Sequence, residues 1–151
     1  MPEYKILNSK EIKELMGLIE DHWGAKLKLD YGFLQNNKNK VFIVNREISH
    51  VDLSKLRVNS AGMYFCEIDK IGIRLSIEGT QIIGPYAKKN VIELDGIEVK
   101  QWFKGEDLAK ELKECKGFLI IKHKNDFIGS GKYSNGKILN FIGKTRRISV
   151  G

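Results

Sequence analysis

Gly117-Phe-Leu-Ile-Ile-Lys-His-Lys124, Asn125-Asp126, Phe127-Ile-Gly-Ser-Gly-Lys-Tyr133, Ser134-Asn135-Gly136 and Lys137-Ile-Leu-Asn-Phe-Ile142 run on without a break. Three runs of strand length alternate with two turn signals. Asn135-Gly136 is the stronger turn, because both residues tolerate the positive φ that a tight hairpin needs. The stretch reads as a three-stranded antiparallel meander, and a final strand is expected over Arg146 to Val150. Gly129 and Gly131, two apart on one strand, mark a place where another backbone or a ligand comes close.

Just upstream, Val91-Ile-Glu-Leu94 reads as a strand. Asp95 with Glu98 reads as a capping box, and Val99, Trp102 and Phe103 follow at helical spacing. Gly105 closes that helix, and Leu108 and Leu112 extend a weaker helical segment to Cys115. Short strands and one helix within about 60 residues predict a small barrel-like β domain. The polar stretch Tyr86 to Asn90, after Gly84-Pro85, is the expected boundary, dividing the chain into residues 1–87 and 88–151.

The first part opens on a helix. Asn8 and Glu11 form a second capping-box signature, and Ile12, Leu15, Met16, Ile19 and Trp23 make one apolar stripe ending at Gly24. A hairpin follows, Tyr31–Gln35 and Lys40–Asn45 around Asn36-Asn37-Lys38-Asn39. Residues 46–57 read as a short helix or turn. A second hairpin spans Gly62–Ile68 and Ile73–Ile77, and a helical turn closes at Gly84-Pro85. The fold class is therefore α+β: an N-terminal antiparallel sheet with packed helices, then a C-terminal β pseudo-barrel.

Composition narrows the function. The chain has 151 residues, 42% of them apolar and 30% charged, which excludes disordered and collagenous classes. Its longest apolar runs are four residues, as at Phe118–Ile121, against the roughly 20 of a membrane span. With no leader signature and two well-separated cysteines, Cys66 and Cys115, a cytoplasmic protein with reduced thiols is expected. The net charge of +7 is concentrated: residues 116–151 hold eight basic groups and one acidic, Asp126. Such asymmetry is the footprint of a polyanion-binding face.

The residue pattern holds no catalytic constellation. His22, His50 and His123 are scattered, no metal-ligand spacing occurs, and Gly129-Ser130-Gly131-Lys132 lies in a meander rather than between a strand and a helix. The expectation is a non-enzyme with no cofactor and no metal. Lys122 and Lys124 are expected on one strand face, Lys144 and Arg146 on another, with Arg147 opposite. Lys132 precedes Tyr133, an aromatic able to stack a base. Lys104-Gly105 ends a helix where backbone can approach a phosphate.

From Val91 onward the chain resembles a PUA domain. The resemblance is carried by Val91-Ile-Glu-Leu-Asp95, Trp102-Phe-Lys-Gly105, Phe127-Ile-Gly-Ser-Gly131 and Lys144-Thr-Arg-Arg-Ile148. Gly62-Met-Tyr-Phe-Cys-Glu67, Gly72-Ile-Arg-Leu-Ser-Ile77 and Ile83-Gly-Pro-Tyr-Ala-Lys88 are similar to the pre-PUA region of a large-subunit ribosome-biogenesis factor family. They also resemble the RNA-binding extension of Sun-family RNA cytosine methyltransferases.

The resemblance implies a pre-PUA domain over 1–87 and an RNA-binding PUA domain over 88–151. The RNA surface then includes Lys104, Gly105, Lys122, Lys124, Lys132, Tyr133, Lys144, Arg146 and Arg147, although Asp107 to Lys116 departs from the segment many PUA domains carry. The expected function is non-catalytic binding of structured rRNA or tRNA in RNA modification or ribosome biogenesis. An RNA-modifying enzyme or a ribosome-assembly protein is the companion implied. The alternative is a protein-interaction adaptor in ribosome assembly whose basic face meets an acidic partner.

Overall fold

Asn8 caps the first helix as its side chain predicts. Its Oδ1 accepts from the Glu11 amide at 2.8 Å, and the Glu11 carboxylate accepts from the Asn8 amide at 3.1 Å. The structure is a computed structural model that describes residues 4–45 and 62–141. Helix α1 (Ser9–Trp23) buries Leu15, Ile19 and Trp23 and ends at Gly24 in the left-handed region, φ 68°. The short helix or turn expected over 46–57 lies outside the described residues.

Helix α1 lies with a five-stranded antiparallel sheet in the simple order β1 (Tyr4–Ile6), β2 (Gly32–Asn36), β3 (Lys40–Val44), β4 (Met63–Asp69), β5 (Gly72–Leu75). Both predicted hairpins are present. In the first turn, Asn36 Oδ1 accepts from the Lys38 and Lys40 amides at 3.0 and 2.9 Å. Strand β1 has no sequence signal, since three residues carry no periodicity and only pairing with β2 makes them a strand. The second hairpin stops two residues early. Ser76, rather than continuing β5, caps α2 (Ile77–Ile83) by accepting from Gly79 N at 2.9 Å. A turn of 3₁₀ helix with Pro85 follows at Gly84–Tyr86.

The second sheet is mixed and curled, in the order β6 (Val91–Glu93), β8 (Gly117–His123), β9 (Asp126–Ser134), β10 (Lys137–Asn140), β7 (Leu108–Ala109). Only β6 and β8 run parallel. Helix α3 (Gly96–Phe103) begins at Asp95 with the predicted capping box. The Asn135-Gly136 turn has φ values of 47° and 78°, both positive as its sequence requires. The architecture is thus the expected α+β arrangement, an N-terminal antiparallel sheet with helices followed by a half-barrel.

One element departs. Leu108 to Cys115 is not helical: Leu108–Ala109 form an edge strand paired with Ile138 and Lys137, and the rest is irregular. Leu108 gains more by burial beside Ile138 and Trp102 than a short, weakly periodic helix would offer.

Strand β8 joins the two halves because both of its faces are buried. Phe118 and Ile120 belong to the core with α1 and the first sheet, whereas Leu119 and Ile121 pack with Trp102 of α3. The stretch expected as the boundary is itself a packed joint. Lys88 N donates to Trp23 O at 2.7 Å, Asn90 Nδ2 to His22 O at 2.6 Å, and Ile120 N to Asn90 O at 2.9 Å. The bonds to Trp23 O and His22 O occupy carbonyls that the end of α1 leaves without intrahelical partners. Cys66 and Cys115 are unbridged and lie in different cores, where burial pushes both thiols up. No described helix is long and apolar enough to cross a membrane.

Candidate nucleic-acid interface

The end of α3 is the most firmly built of the expected contact points. Lys104 caps the helix and is exposed, and Gly105 turns the chain at φ 88°. A residue that carries no sequence signal holds this loop. Asn140 Nδ2 donates to Trp102 O at 2.8 Å and Glu106 O at 2.9 Å, and the Asn140 amide donates to the Asp107 carboxylate at 2.9 Å. No local pattern could have found Asn140, since it lies over 30 residues from its partners. Lys100, also exposed, sits four residues before Lys104. That spacing puts two like charges on one helix edge, which costs a few tenths of a kcal/mol unless an anion lies between them. The i, i+4 spacing was a signal available in the sequence.

The other expected residues that the structure describes lie in different settings. The strand pattern predicts that Lys122 and Lys124 project together, but β8 ends at His123 and Lys124 sits in a turn at φ 54°. Lys122 lies with its Nζ 5.6 Å from the Phe127 ring centroid. Lys124 instead lines a hollow with Glu93, Asp95, Glu98, Lys110 and His123, where Glu98 is paired with Lys110. Lys132 and Tyr133 point to opposite faces of β9, because successive strand residues alternate. The Tyr133 ring packs on the α3 core, and its hydroxyl donates to Glu111 at 3.2 Å and accepts from Leu112 N at 3.2 Å. Among the described residues, Lys104, Lys122, Lys124 and Lys132 form no ion pair. Lys144, Arg146 and Arg147 lie outside the described residues, as does the strand expected over Arg146 to Val150.

Gly131 does mark a close approach, and the neighbour is Trp102. A Cβ there would stand 3.0 Å from Trp102 Cη2 and 2.8 Å from Leu139 O. Among the described residues, no three or more His, Cys, Asp or Glu side chains are grouped to hold a metal ion.

Comparison with known proteins adds a second line. Residues 89–148 match the family model described as the PUA domain of methyltransferase RsmF. The ribosomal RNA small subunit methyltransferase F of Aeromonas salmonicida (strain A449) is 25% identical over 136 residues, covering 90% of this chain and 28% of its own length. The protein of the same name from Vibrio cholerae serotype O1 (strain M66-2) is 30% identical over 88 residues, covering 58% of this chain and 19% of its own. That of Vibrio parahaemolyticus is 29% identical over 93 residues, covering 58% of this chain and 20% of its own. The chain thus spans well under a third of the length of these relatives. Residues 89–148 are thus a PUA domain, similar to that of RNA methyltransferases of the RsmF type.

Proposed function

We propose that this chain binds structured RNA through its PUA domain, serves rRNA or tRNA modification or ribosome biogenesis, and performs no chemistry of its own. The observation that carries the reading is the RsmF-type PUA match over residues 89–148, which takes in the exposed Lys104-Gly105 loop braced by Asn140. Lysines without acidic partners neutralise phosphates and release their counterions. The rigid loop lets backbone and cation meet a phosphate without an ordering cost. The relatives' name makes small-subunit rRNA the first substrate to try and a methyltransferase the natural companion in trans. The chain acts in the cytoplasm, where such RNA is matured.

The test is fluorescence anisotropy of labelled small-subunit rRNA fragments and tRNA between 50 and 200 mM salt. Neutralising about four phosphates predicts a loss of roughly 100-fold in affinity across that range. Absence of binding to every fragment, or binding insensitive to salt, overturns the reading. Methylation of the RNA by this chain alone, given a methyl donor, overturns the non-catalytic part.

A further inference from the structure

Between the two sheets lies a hollow of about 340 Å³ that none of the described residues of the expected surface lines. Its walls come from both halves of the chain: Lys40 from β3, Tyr64 and Glu67 from β4, Arg74 from β5, Ser130 from β9, and Phe141 just past β10. We propose that this hollow receives one unpaired nucleotide of the bound RNA, its base inside and its phosphate toward Lys40. The proposal rests on the RNA-binding reading above and adds to it a site, a subunit of ligand and a preference for interrupted helices.

Three features favour a base over other ligands. The first is flatness. The Arg74 guanidinium carbon lies 4.1 Å from the Phe141 ring centroid, and Lys40 Nζ lies 5.5 Å from that of Tyr64. Guanidinium and aromatic planes are the surfaces on which splayed-out RNA bases stack.

The second is mixed charge. Glu67 faces Lys40 on one neighbouring strand and Arg74 on the other, so the three form a row across the sheet. Yet among the described residues no ion pair joins them, because each cation leans over its own ring. A site with cations alone would suit bare phosphate. Cations beside a carboxylate suit the edge of a base, which offers donors and acceptors together, with the phosphate left at the cationic rim.

The third is an unmet hydrogen bond. Ser130 is only 6% exposed, and its hydroxyl has no partner within reach. A buried polar group in that state is costly, and a ligand that supplies the missing partner binds more tightly for it. Ser76, the hollow's other serine, is already engaged with Tyr64 O and Phe65 O.

The experiment compares two RNA hairpins of one sequence, one with a single bulged nucleotide and one fully paired, binding to the whole chain. The wild-type protein should favour the bulged hairpin. Arg74→Gln combined with Phe141→Ala should lower affinity for it at least tenfold and leave affinity for the paired hairpin within twofold. Far-UV circular dichroism establishes that the variant is folded. Independently, the unmodified protein should crosslink through a photoreactive uridine at the bulge to the peptides bearing Tyr64 or Phe141. Unchanged affinity of the variant for the bulged hairpin, or crosslinks confined to other peptides, overturns the pocket while RNA binding stands. Failure of both hairpins to bind wild-type protein overturns the broader reading first.

Discussion

The Asn140 side-chain amide donates to the Trp102 carbonyl at 2.8 Å, tying the last strand of the described half-barrel to the final turn of α3. That carbonyl is among those a helix end leaves without an intrahelical partner. Replacing Asn140 with Ala removes two side-chain bonds, to Trp102 O and Glu106 O, from a partly exposed site. The expected cost is about 1–2 kcal/mol, read as a lower urea midpoint. Asn140→Asp should cost more, since a carboxylate then confronts two carbonyl oxygens. Equal midpoints for wild type and both variants would show that the loop does not depend on this brace.

The helix edge should carry RNA affinity rather than stability. Lys100 and Lys104 are exposed and form no ion pair among the described residues, so reversing both to Glu should leave the melting temperature within a few degrees. The same change should weaken RNA binding across sequences and reduce the salt slope by about 2, one for each phosphate no longer neutralised. Anisotropy titrations at three salt concentrations measure it, and an unaltered slope removes these two lysines from the interface.

Asn90 performs two tasks at the joint between the halves. It holds φ 57°, and its side chain bridges His22 O and Lys116 N at 2.6 and 3.1 Å. Asn90→Gly keeps the backbone conformation and loses the bridge. Asn90→Ala loses both and should be the worse by about 1 kcal/mol. Denaturation melts of the pair separate the contributions. If alanine proves no worse than glycine, the left-handed backbone is not what restricts this position.

What the sequence disclosed and what it withheld follow one physical divide. Features set by near neighbours were legible: the capping boxes at Asn8 and Asp95, the Asn135-Gly136 turn, and the two N-terminal hairpins. Features set by distant partners were not. Tyr4–Ile6 becomes a strand only beside β2, and Leu108–Ala109 only beside β10. Lys122 and Lys124 share a face in an ideal strand but part because the pairing of His123 with Asp126 puts Lys124 in the turn, at φ 54°. The row of Lys40, Glu67 and Arg74 draws on three strands and leaves no spacing to read. The basic tail was evident from charge alone, but the geometry of a candidate site was not.

Glycine positions give a sharper contrast. At Gly131 a Cβ meets a backbone oxygen and the Trp102 indole at 3.0 Å or less, with β9 paired on both sides. Gly131→Ala should therefore cost about 1–3 kcal/mol. Gly17, in the middle of α1, has nothing within 4 Å of the same atom, so Gly17→Ala should stabilise by about 0.5–1 kcal/mol. Opposite shifts in melting temperature are expected, and shifts of one sign would contradict the packing around Trp102.

Alkaline pH should single out Tyr64. Burial, reinforced by the Glu67 carboxylate and partly offset by Arg74, pushes its phenol up to about 12. In the unfolded chain a tyrosine ionises near 10. The unfolded state therefore releases the proton first, and the protonated native phenol contributes stability that is complete below pH 10. That contribution is lost as pH rises from 10 towards 12. Tyr64→Phe has no such proton to lose, so its urea midpoint should fall less steeply over that interval than that of the wild type. Of the five tyrosines, Tyr64 should also be among the last to develop tyrosinate absorbance. Parallel stability curves for the two proteins across pH 10–12 would mean that the Tyr64 phenol ionises as freely in the fold as in water.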